Sequence, residues 1–207
     1  MVHNPRPHVV IIAGPNGAGK TMLAPLLLRD TFGVMEYVNA DAIALGLSAF
    51  QPEKVALEAG RIMLRHLRTL AVQRRTFAFE STLATRSYAP WIRQLCQQGY
   101  AFHVLFLWLR SPELAVQRVK ERVRLGGHDV PEVVVCRRYQ YGIRNFFDLY
   151  LPLATSWSVY DNSVSQAPPL LATGKGNALP TFYQSELWRR FCEVRSWQSN
   201  MHCQTNG

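Results

Sequence analysis

Residues 14–21 read GPNGAGKT, in which Gly14 is followed after four residues by Gly19, Lys20 and Thr21. This spacing matches the phosphate-loop pattern known as Walker A in full. Glycines let consecutive backbone N–H groups surround a phosphate without obstruction by a Cβ atom. The lysine of such a loop reaches the β- and γ-phosphates, and the threonine hydroxyl binds Mg²⁺. The sequence therefore predicts binding of ATP and Mg²⁺ by Gly14, Pro15, Asn16, Gly17, Ala18, Gly19, Lys20 and Thr21.

A cluster of arginines and a glycine pair follow the fourth predicted strand. Arg118, Arg122 and Arg124 precede Gly126 and Gly127. Small-molecule kinases supply arginines to the transferred phosphoryl group from a lid, and this cationic segment lies where such a lid is expected. The alternative is a solvent-exposed basic helix face. A GTPase would carry an NKxD motif and an ABC ATPase an LSGGQ-like signature, and the sequence contains neither.

Two carboxylates follow predicted strands. Asp41 comes after the second strand and Glu80 ends the third. Ligands of parallel α/β sheets bind at the carboxyl ends of the strands, so Asp41 is a candidate general base and Glu80 a candidate ligand of Mg²⁺ or substrate. The structural alternatives stay open: Asp41 as a helix cap, and Glu80 as a capping or ion-paired residue. Glu58 lies within a long predicted helix, where the residues alone indicate a solvent-exposed side chain.

Strands and helices alternate along the chain. Apolar runs predict strands at 8–13, 34–38, 76–80, 101–109 and 156–160, with a short sixth at 168–173. Helical spacing or helix-start signals predict helices at 21–28, 52–75, 87–98, from 111, from 130 to about 149, and at 181–194. The alternation predicts an α/β P-loop fold, a three-layer sandwich whose mostly parallel sheet has five to six strands. Residues 1–199 are expected to form one domain with a lid at about 118–138, and 200–207 a frayed tail.

The composition restricts the class of partner. The chain has 23 basic and 14 acidic residues, a net charge of +9, which favours nucleotide phosphates, nucleic acid or an acidic protein. Nucleic acid is disfavoured, because there is no RGG repeat, basic tail or interleaving of aromatic and basic residues. No apolar run approaches the roughly 18 residues of a membrane span, and no signal peptide is recognised. The prediction is a cytoplasmic protein whose four cysteines are free thiols.

These motifs together resemble a known family. GPNGAGKT (14–21), NAD (39–41), FAFEST (77–82) and GGHDVP (126–131) occur in the order found in the zeta-toxin group of P-loop kinases. The best match is its single-domain branch, often labelled "predicted ABC-type ATPase". The resemblance covers roughly residues 8–163.

The resemblance implies a reaction and a set of site residues. Characterised zeta toxins phosphorylate the 3′-hydroxyl of the amino sugar of UDP-N-acetylglucosamine. By similarity, Lys20 and Asp41 are catalytic, with Asp41 as base, and Arg118 or Arg122 is the first lid arginine. The further implied roles are ATP contact for Arg124, metal binding for Thr21 and Glu80, and substrate binding for Asn39, Glu58, Glu80, Thr82 and His128.

The sequence also departs from the family pattern at two positions. His128 stands where the toxins carry the second lid arginine, so His128, Arg124 or Arg138 is expected to replace it. Ala84 replaces an arginine that follows the substrate threonine in the toxins.

Three functions are compatible with these features. The first is a kinase acting on a hydroxyl-bearing small molecule such as a UDP-amino sugar. The second is an ATP-hydrolysing switch or nucleic-acid-associated ATPase, suggested by the net charge of +9. The third, compatible with the first, is the toxin of a toxin–antitoxin pair whose basic surface is covered by a small acidic antitoxin.

Overall fold

The computed structural model describes residues 6–127, 129–164 and 167–195. His128, Cys203 and the predicted tail at 200–207 lie outside the described residues. Among the described residues, no helix is both long and apolar enough to cross a membrane.

A single mixed sheet forms the centre of the molecule. Its strands are β1 His8–Ala13, β2 Tyr37–Val38, β3 Phe77–Ser81, β4 Ala101–Trp108, β5 Ser156–Asp161, β6 Leu170–Gly174 and β7 Thr181–Phe182. The spatial order is β2-β3-β1-β4-β5-β6-β7. Strands β1 to β5 pair in parallel, whereas β5–β6 and β6–β7 pair antiparallel. The predicted mostly parallel sheet is therefore confirmed.

The predicted number of five to six strands is too low, because the part of the chain that the structure describes already forms seven. The additional strand, β7, is only two residues long and lies within the segment 181–194 that was predicted as one helix. Two residues carry no periodicity, and the helix begins only at Ser185. Pairing with β6, which the sequence does not display, makes this segment a strand.

Seven α-helices surround the sheet within the described ranges. They are α1 Lys20–Phe32, α2 Ala40–Leu47, α3 Ala56–Val72, α4 Tyr88–Gln97, α5 Pro112–Arg124, α6 Glu132–Asn145 and α7 Ser185–Arg195. A 3₁₀ turn at Pro52–Val55 precedes α3, so the first part of the helix predicted at 52–75 is not α-helical. Helix α6 continues as a π-helical turn, Phe146–Tyr150, and a 3₁₀ turn, Leu151–Leu153.

The register of the central strands determines where their ends lie. Ile12 pairs with Glu80, and Ala13 pairs with both Ser81 and Phe106. All of β4 is buried, since helices cover both faces of the sheet. Burial of each large apolar side chain stabilises the fold by about 2 kcal/mol. This rigid core holds the loops after β1, β2, β3 and β5 at one edge of the sheet.

Helix α5 has clear signals at both ends. The Ser111 hydroxyl accepts a hydrogen bond from Leu114 N–H at 3.2 Å, and Pro112 occupies the first turn, as the sequence predicted. At the other end, Gly127 N–H donates to the carbonyl of Arg122 and Gly126 N–H to that of Val123, both at 2.9 Å. This is a Schellman motif. The glycine pair that follows the predicted lid arginines thus terminates a helix.

Candidate active site

A cavity of about 850 Å³ opens at the carboxyl ends of the parallel strands. Its walls come from the glycine loop after β1, the start of α2, the end of β3, helices α5 and α6, and the loop after β5. Polar and charged groups of this wall are Asn16, Lys20, Thr21, Asn39, Asp41, Glu80, Ser81, Thr82, Arg118, Glu121, Arg122, Arg138 and Asn162. The structure therefore brings most of the residues singled out in the sequence to one place.

At the first position of the glycine loop, only glycine can adopt the observed backbone conformation. Gly14 has φ = 141°, and a Cβ added there would lie 2.2 Å from the carbonyl oxygen of Leu107 on β4. Gly17 and Gly19 also have positive φ, at 78° and 75°. Helix α1 then begins at Lys20, so its N-terminal N–H groups and the positive end of its dipole face the loop. This arrangement suits a phosphate.

Lys20 is held against the loop that precedes it. Its Nζ donates to the carbonyls of Gly14 at 3.0 Å and Pro15 at 2.9 Å. Burial lowers the pKa of Lys20 to about 8, opposed by the nearby carboxylates of Glu80 and Asp41 and reinforced by Arg122 and Arg138. The ammonium remains mostly protonated at neutral pH and so carries the charge that a phosphate requires.

Asn39 connects three parts of the site. Its side-chain oxygen accepts from the N–H of Asp41 at 2.8 Å, which makes Asn39 the N-cap of α2. Its amide nitrogen donates to Thr21 Oγ1 at 3.3 Å and to Glu80 Oε1 at 3.1 Å. The Tyr37 hydroxyl also donates to Glu80 Oε1, and burial together with the Glu80 charge raises the pKa of Tyr37. Two donors therefore hold the Glu80 carboxylate: Tyr37 in β2 and Asn39 directly after it.

The structure excludes one of the two interpretations of Asp41, the helix cap. Asn39 provides the cap of α2, so the interpretation of Asp41 as a helix cap is wrong. Asp41 is an exposed residue in the first turn of α2, and its side chain lines the cavity. It is thus available to a ligand in that cavity.

The donor set around Thr21 fits a magnesium ion. The Thr21 hydroxyl and the Glu80 carboxylate share the amide of Asn39, so both oxygens lie on one side of the phosphate loop. The described part of the chain contains no group of three or more His, Cys, Asp or Glu able to hold a metal ion. Mg²⁺ commonly binds with one or two protein oxygens, completing its shell with phosphate oxygens and water.

Helix α6 fixes the loop after β3. A Cβ on Gly142 would lie 2.3 Å from the carbonyl oxygen of Thr82, and Asn145 Nδ2 donates to the carbonyl of Leu83 at 2.7 Å. Leu83 is buried and has φ = 55°, a conformation that an apolar residue adopts only when its surroundings impose it. This strained turn places Ser81 and Thr82 in the cavity wall.

The arginines of α5 and α6 differ in what they contact. The Arg118 guanidinium donates to the carbonyls of Asn162 at 2.7 Å and Ser163 at 3.0 Å. Arg122 and Arg138 line the cavity, and Arg138 Nη1 lies 3.5 Å from Asn16 Oδ1 in the phosphate loop. Burial lowers the pKa of Arg138, and the nearby charge of Asp41 opposes this. Arg138 therefore lies beside the phosphate loop, close enough to Asp41 for their charges to interact.

Some predicted site residues are not brought to the cavity. Glu58 is exposed in the first turn of α3 and is not part of the cavity wall. Arg124 is also exposed and borders shallow depressions beside α5 and α6 instead. The prediction for His128 falls outside the described residues.

Sequence reasoning missed three residues that the structure places at the site: Tyr37, Glu121 and Asn162. Asn162 directly follows β5, so the rule that ligands bind at the ends of parallel strands could have found it. Tyr37 lies within the strand predicted at 34–38, but no local pattern marked its side chain as part of the site.

The parallel sheet, the glycine loop between β1 and α1, and the cation-lined cavity define a P-loop kinase. Residues 1–146 match the family model of Zeta toxin. The chain belongs to this family, and the resemblance inferred from its motifs is confirmed.

Individual relatives are distant in sequence. An uncharacterized protein of Haemophilus influenzae is 27% identical over 130 residues, which are 63% of this chain and 91% of the relative. The crystal structure of AvrRxo1-ORF1:-ORF2 with ATP is similar with a TM-score of 0.70 at 18% identity, covering 96% of this chain and 67% of that chain. The PezAT toxin–antitoxin system of Streptococcus pneumoniae gives a TM-score of 0.62 at 15% identity, covering 93% and 89%.

Proposed function

We propose that this protein transfers the γ-phosphate of ATP to a hydroxyl group of a small molecule. The observation that carries the proposal is the cavity of about 850 Å³, in which the phosphate loop, a free carboxylate and cationic side chains face one space. The ATP present in the AvrRxo1-ORF1:-ORF2 structure supports the choice of phosphate donor. The size of the cavity favours a small-molecule acceptor over a polymer.

The proposed reaction uses residues of known position. The β- and γ-phosphates bind the loop N–H groups and Lys20. Thr21 and Glu80 would hold a Mg²⁺ ion, which would supply positive charge to neutralise the phosphates. Asp41 accepts the proton of the acceptor hydroxyl while the oxygen of that hydroxyl attacks the γ-phosphorus. The bond between that phosphorus and the β–γ bridging oxygen breaks, and ADP leaves. Arg122 and Arg138 stabilise the charge that develops on the transferred group.

Arg138 replaces the second lid arginine in this proposal. It reaches the cavity from α6, and its proximity to Asn16, Lys20 and Asp41 supports the role. Arg118, by contrast, makes hydrogen bonds to backbone carbonyls, which favours Arg122 as the first lid arginine.

A UDP-amino sugar such as UDP-N-acetylglucosamine is the acceptor we propose to test first. Family membership supports it, and Asn39, Glu80, Ser81 and Thr82 present hydrogen-bonding groups on the acceptor side of the cavity. Ala84 stands where the toxins carry an arginine. Its side chain offers no charge to a ligand, so an acceptor cannot be bound through a cation at this position.

A direct test incubates the protein with γ-labelled ATP, Mg²⁺ and UDP-N-acetylglucosamine, and separately with a small-molecule extract of cells. The proposal expects label to appear in an organic phosphomonoester with the wild type and not with Lys20→Ala. If the label appears only as inorganic phosphate in every reaction, the protein is not a kinase. Stimulation of that hydrolysis by DNA or RNA would then support the ATPase alternative.

A protein partner is the second part of the proposal. Two of the similar structures are described with a second component, AvrRxo1-ORF1 with ORF2 and the PezAT toxin–antitoxin system. The net charge of +9 here favours a small acidic antitoxin. Co-expression with the product of a neighbouring short reading frame tests this, since a true antitoxin would co-purify and suppress phosphate transfer.

A further inference from the structure

Asn162 joins the loop after β5 to the phosphate loop, although 144 residues separate the two partners. Its Nδ2 donates to the carbonyl oxygen of Ala18 at 2.8 Å. A Cβ on Gly19 would lie 2.7 Å from the same nitrogen, so this close approach depends on glycine. The contact therefore ties the middle of the phosphate loop to a residue on another strand.

The contact determines how one peptide group is oriented. The bond between Ala18 and Gly19 is trans, as no cis peptide occurs among the described residues. In a trans peptide the C=O and the following N–H point in opposite directions. When Asn162 holds the Ala18 carbonyl on its own side, the Gly19 N–H points away from Asn162. Gly19 is also part of the cavity wall, which a phosphate bound at this loop would contact.

Asn162 is itself held firmly. Its backbone N–H donates to the carbonyl oxygen of Trp108 at 2.8 Å, and its own carbonyl accepts from Arg118 Nη1 at 2.7 Å. The preceding residue, Asp161, is fully buried and pairs with Arg110 at 2.8 Å. Asp161 Oδ1 also accepts from Ser163 N–H at 3.0 Å. Hydrogen bonds on both sides of Asn162 thus fix its position relative to the sheet.

We infer that Asn162 is a positioning residue for the phosphate loop. By holding the Ala18 carbonyl it directs the Gly19 N–H to the β-phosphate of a nucleotide, with Arg118 supporting Asn162 from the other side. The inference rests on the nucleotide-binding part of the proposed function and does not require phosphate transfer. It predicts that affinity for the β-phosphate depends on a side chain outside the GPNGAGKT segment.

The test measures dissociation constants for ADP and AMP by calorimetry, because these probes differ only in the β-phosphate. Asn162→Leu keeps the size of the side chain and removes the donor, and Asn162→Ala removes both. Either variant is expected to raise the Kd for ADP about tenfold and to change that for AMP by less than about twofold. Asn177→Ala, which alters an exposed asparagine outside the cavity, is the matched control. Circular dichroism establishes that each variant is folded.

Two results would overturn the inference. An unchanged Kd for ADP in both variants would show that the contact does not orient the loop. An equal loss of affinity for ADP and for AMP would show that Asn162 shapes the nucleoside side of the cavity instead. Wild-type protein that binds ADP but transfers no phosphate would overturn the proposed function alone. Active variants with unchanged ADP affinity would overturn the inference alone.

Discussion

The two ends of the parallel sheet both carry polar clusters, but the clusters are built differently. At the amino end, His8 Nδ1 and His103 Nε2 are 2.8 Å apart, and His103 Nδ1 lies 2.7 Å from Ser156 Oγ. The two imidazole rings stack with centroids 5.1 Å apart. At the carboxyl end, Lys20, Asp41 and Glu80 face a cavity of about 850 Å³.

The difference concerns where the hydrogen-bonding groups are directed. His103 is 7% exposed, and the groups of its cluster satisfy one another, which adds to stability and leaves little for a ligand. At the other end, side chains project from separate loops into a space that a ligand can enter. The same strands therefore carry polar groups that bond one another at one end and polar groups that face a ligand-accessible cavity at the other.

The largest effect on activity is expected for Lys20→Ala. It removes the cation proposed to stabilise the β- and γ-phosphates, and kcat/KM is expected to fall on the order of 10⁴-fold. Thermal unfolding should change little, because Lys20 is desolvated and its removal relieves that cost. Steady-state transfer assays provide the measurement, with Lys175→Ala, at an exposed position outside the cavity, as control. Equal losses in both variants would remove the assigned role of Lys20.

The next largest effect is expected for Arg138→Ala. If Arg138 stabilises the transferred group, kcat should fall about 10³-fold with only a small change in the affinity for ATP. Arg137→Ala is a close control, because Arg137 is the adjacent residue but is exposed and absent from the cavity wall. Similar kcat values for the two variants would assign the second cation to another residue.

The smallest effect on activity belongs to the amino-end cluster, which should act on stability alone. Burial, with the nearby charges of His8 and Arg6, lowers the pKa of His103 to about 4. The fold favours the neutral imidazole of His103. The contribution of this preference to the free energy of unfolding is therefore complete above pH 6.5, the pKa of the imidazole in the unfolded chain. It is lost as pH falls towards 4, by an amount on the order of 3 kcal/mol.

Denaturant titrations between pH 7.5 and 4 measure this effect. His103→Asn is expected to reduce the pH dependence, whereas His66→Asn, at an exposed position of α3, should preserve it. Both variants should retain phosphate transfer at pH 7.5. A marked loss of transfer in folded His103→Asn protein would contradict the division between the two ends.

The parts of this molecule that the sequence predicts are those with local signals. The phosphate loop, the apolar strands and the Ser111 cap depend on residues close together in the chain. The two-residue strands β2 and β7 exist through pairing with another strand, β3 for β2 and β6 for β7, so the pattern within either segment does not predict its limits. The cap role of Asn39 shows the same limitation, since Asn39 and Asp41 are both good cap residues and only the backbone decides.

The arginines show what tertiary structure adds to the site. Arg118, Arg122 and Arg124 belong to one helix and are alike in sequence. Only the packing of α5 directs Arg118 to the carbonyls of the loop after β5 and leaves Arg124 in solvent. Asn162 acquires its contact through strand order, which places the end of β5 beside the phosphate loop.

Phosphorus NMR of the wild type and of Asp41→Asn tests whether this carboxylate is the base for phosphate transfer. Each is incubated with ATP and Mg²⁺, once with UDP-N-acetylglucosamine and once with a small-molecule extract. Glu58→Gln, the same chemical change on an exposed helix residue, serves as control. The account predicts a new phosphomonoester signal with the wild type and the control, formed at least about 100-fold more slowly by Asp41→Asn. A signal that grows at the wild-type rate in Asp41→Asn, or release of inorganic phosphate alone in every sample, would contradict it.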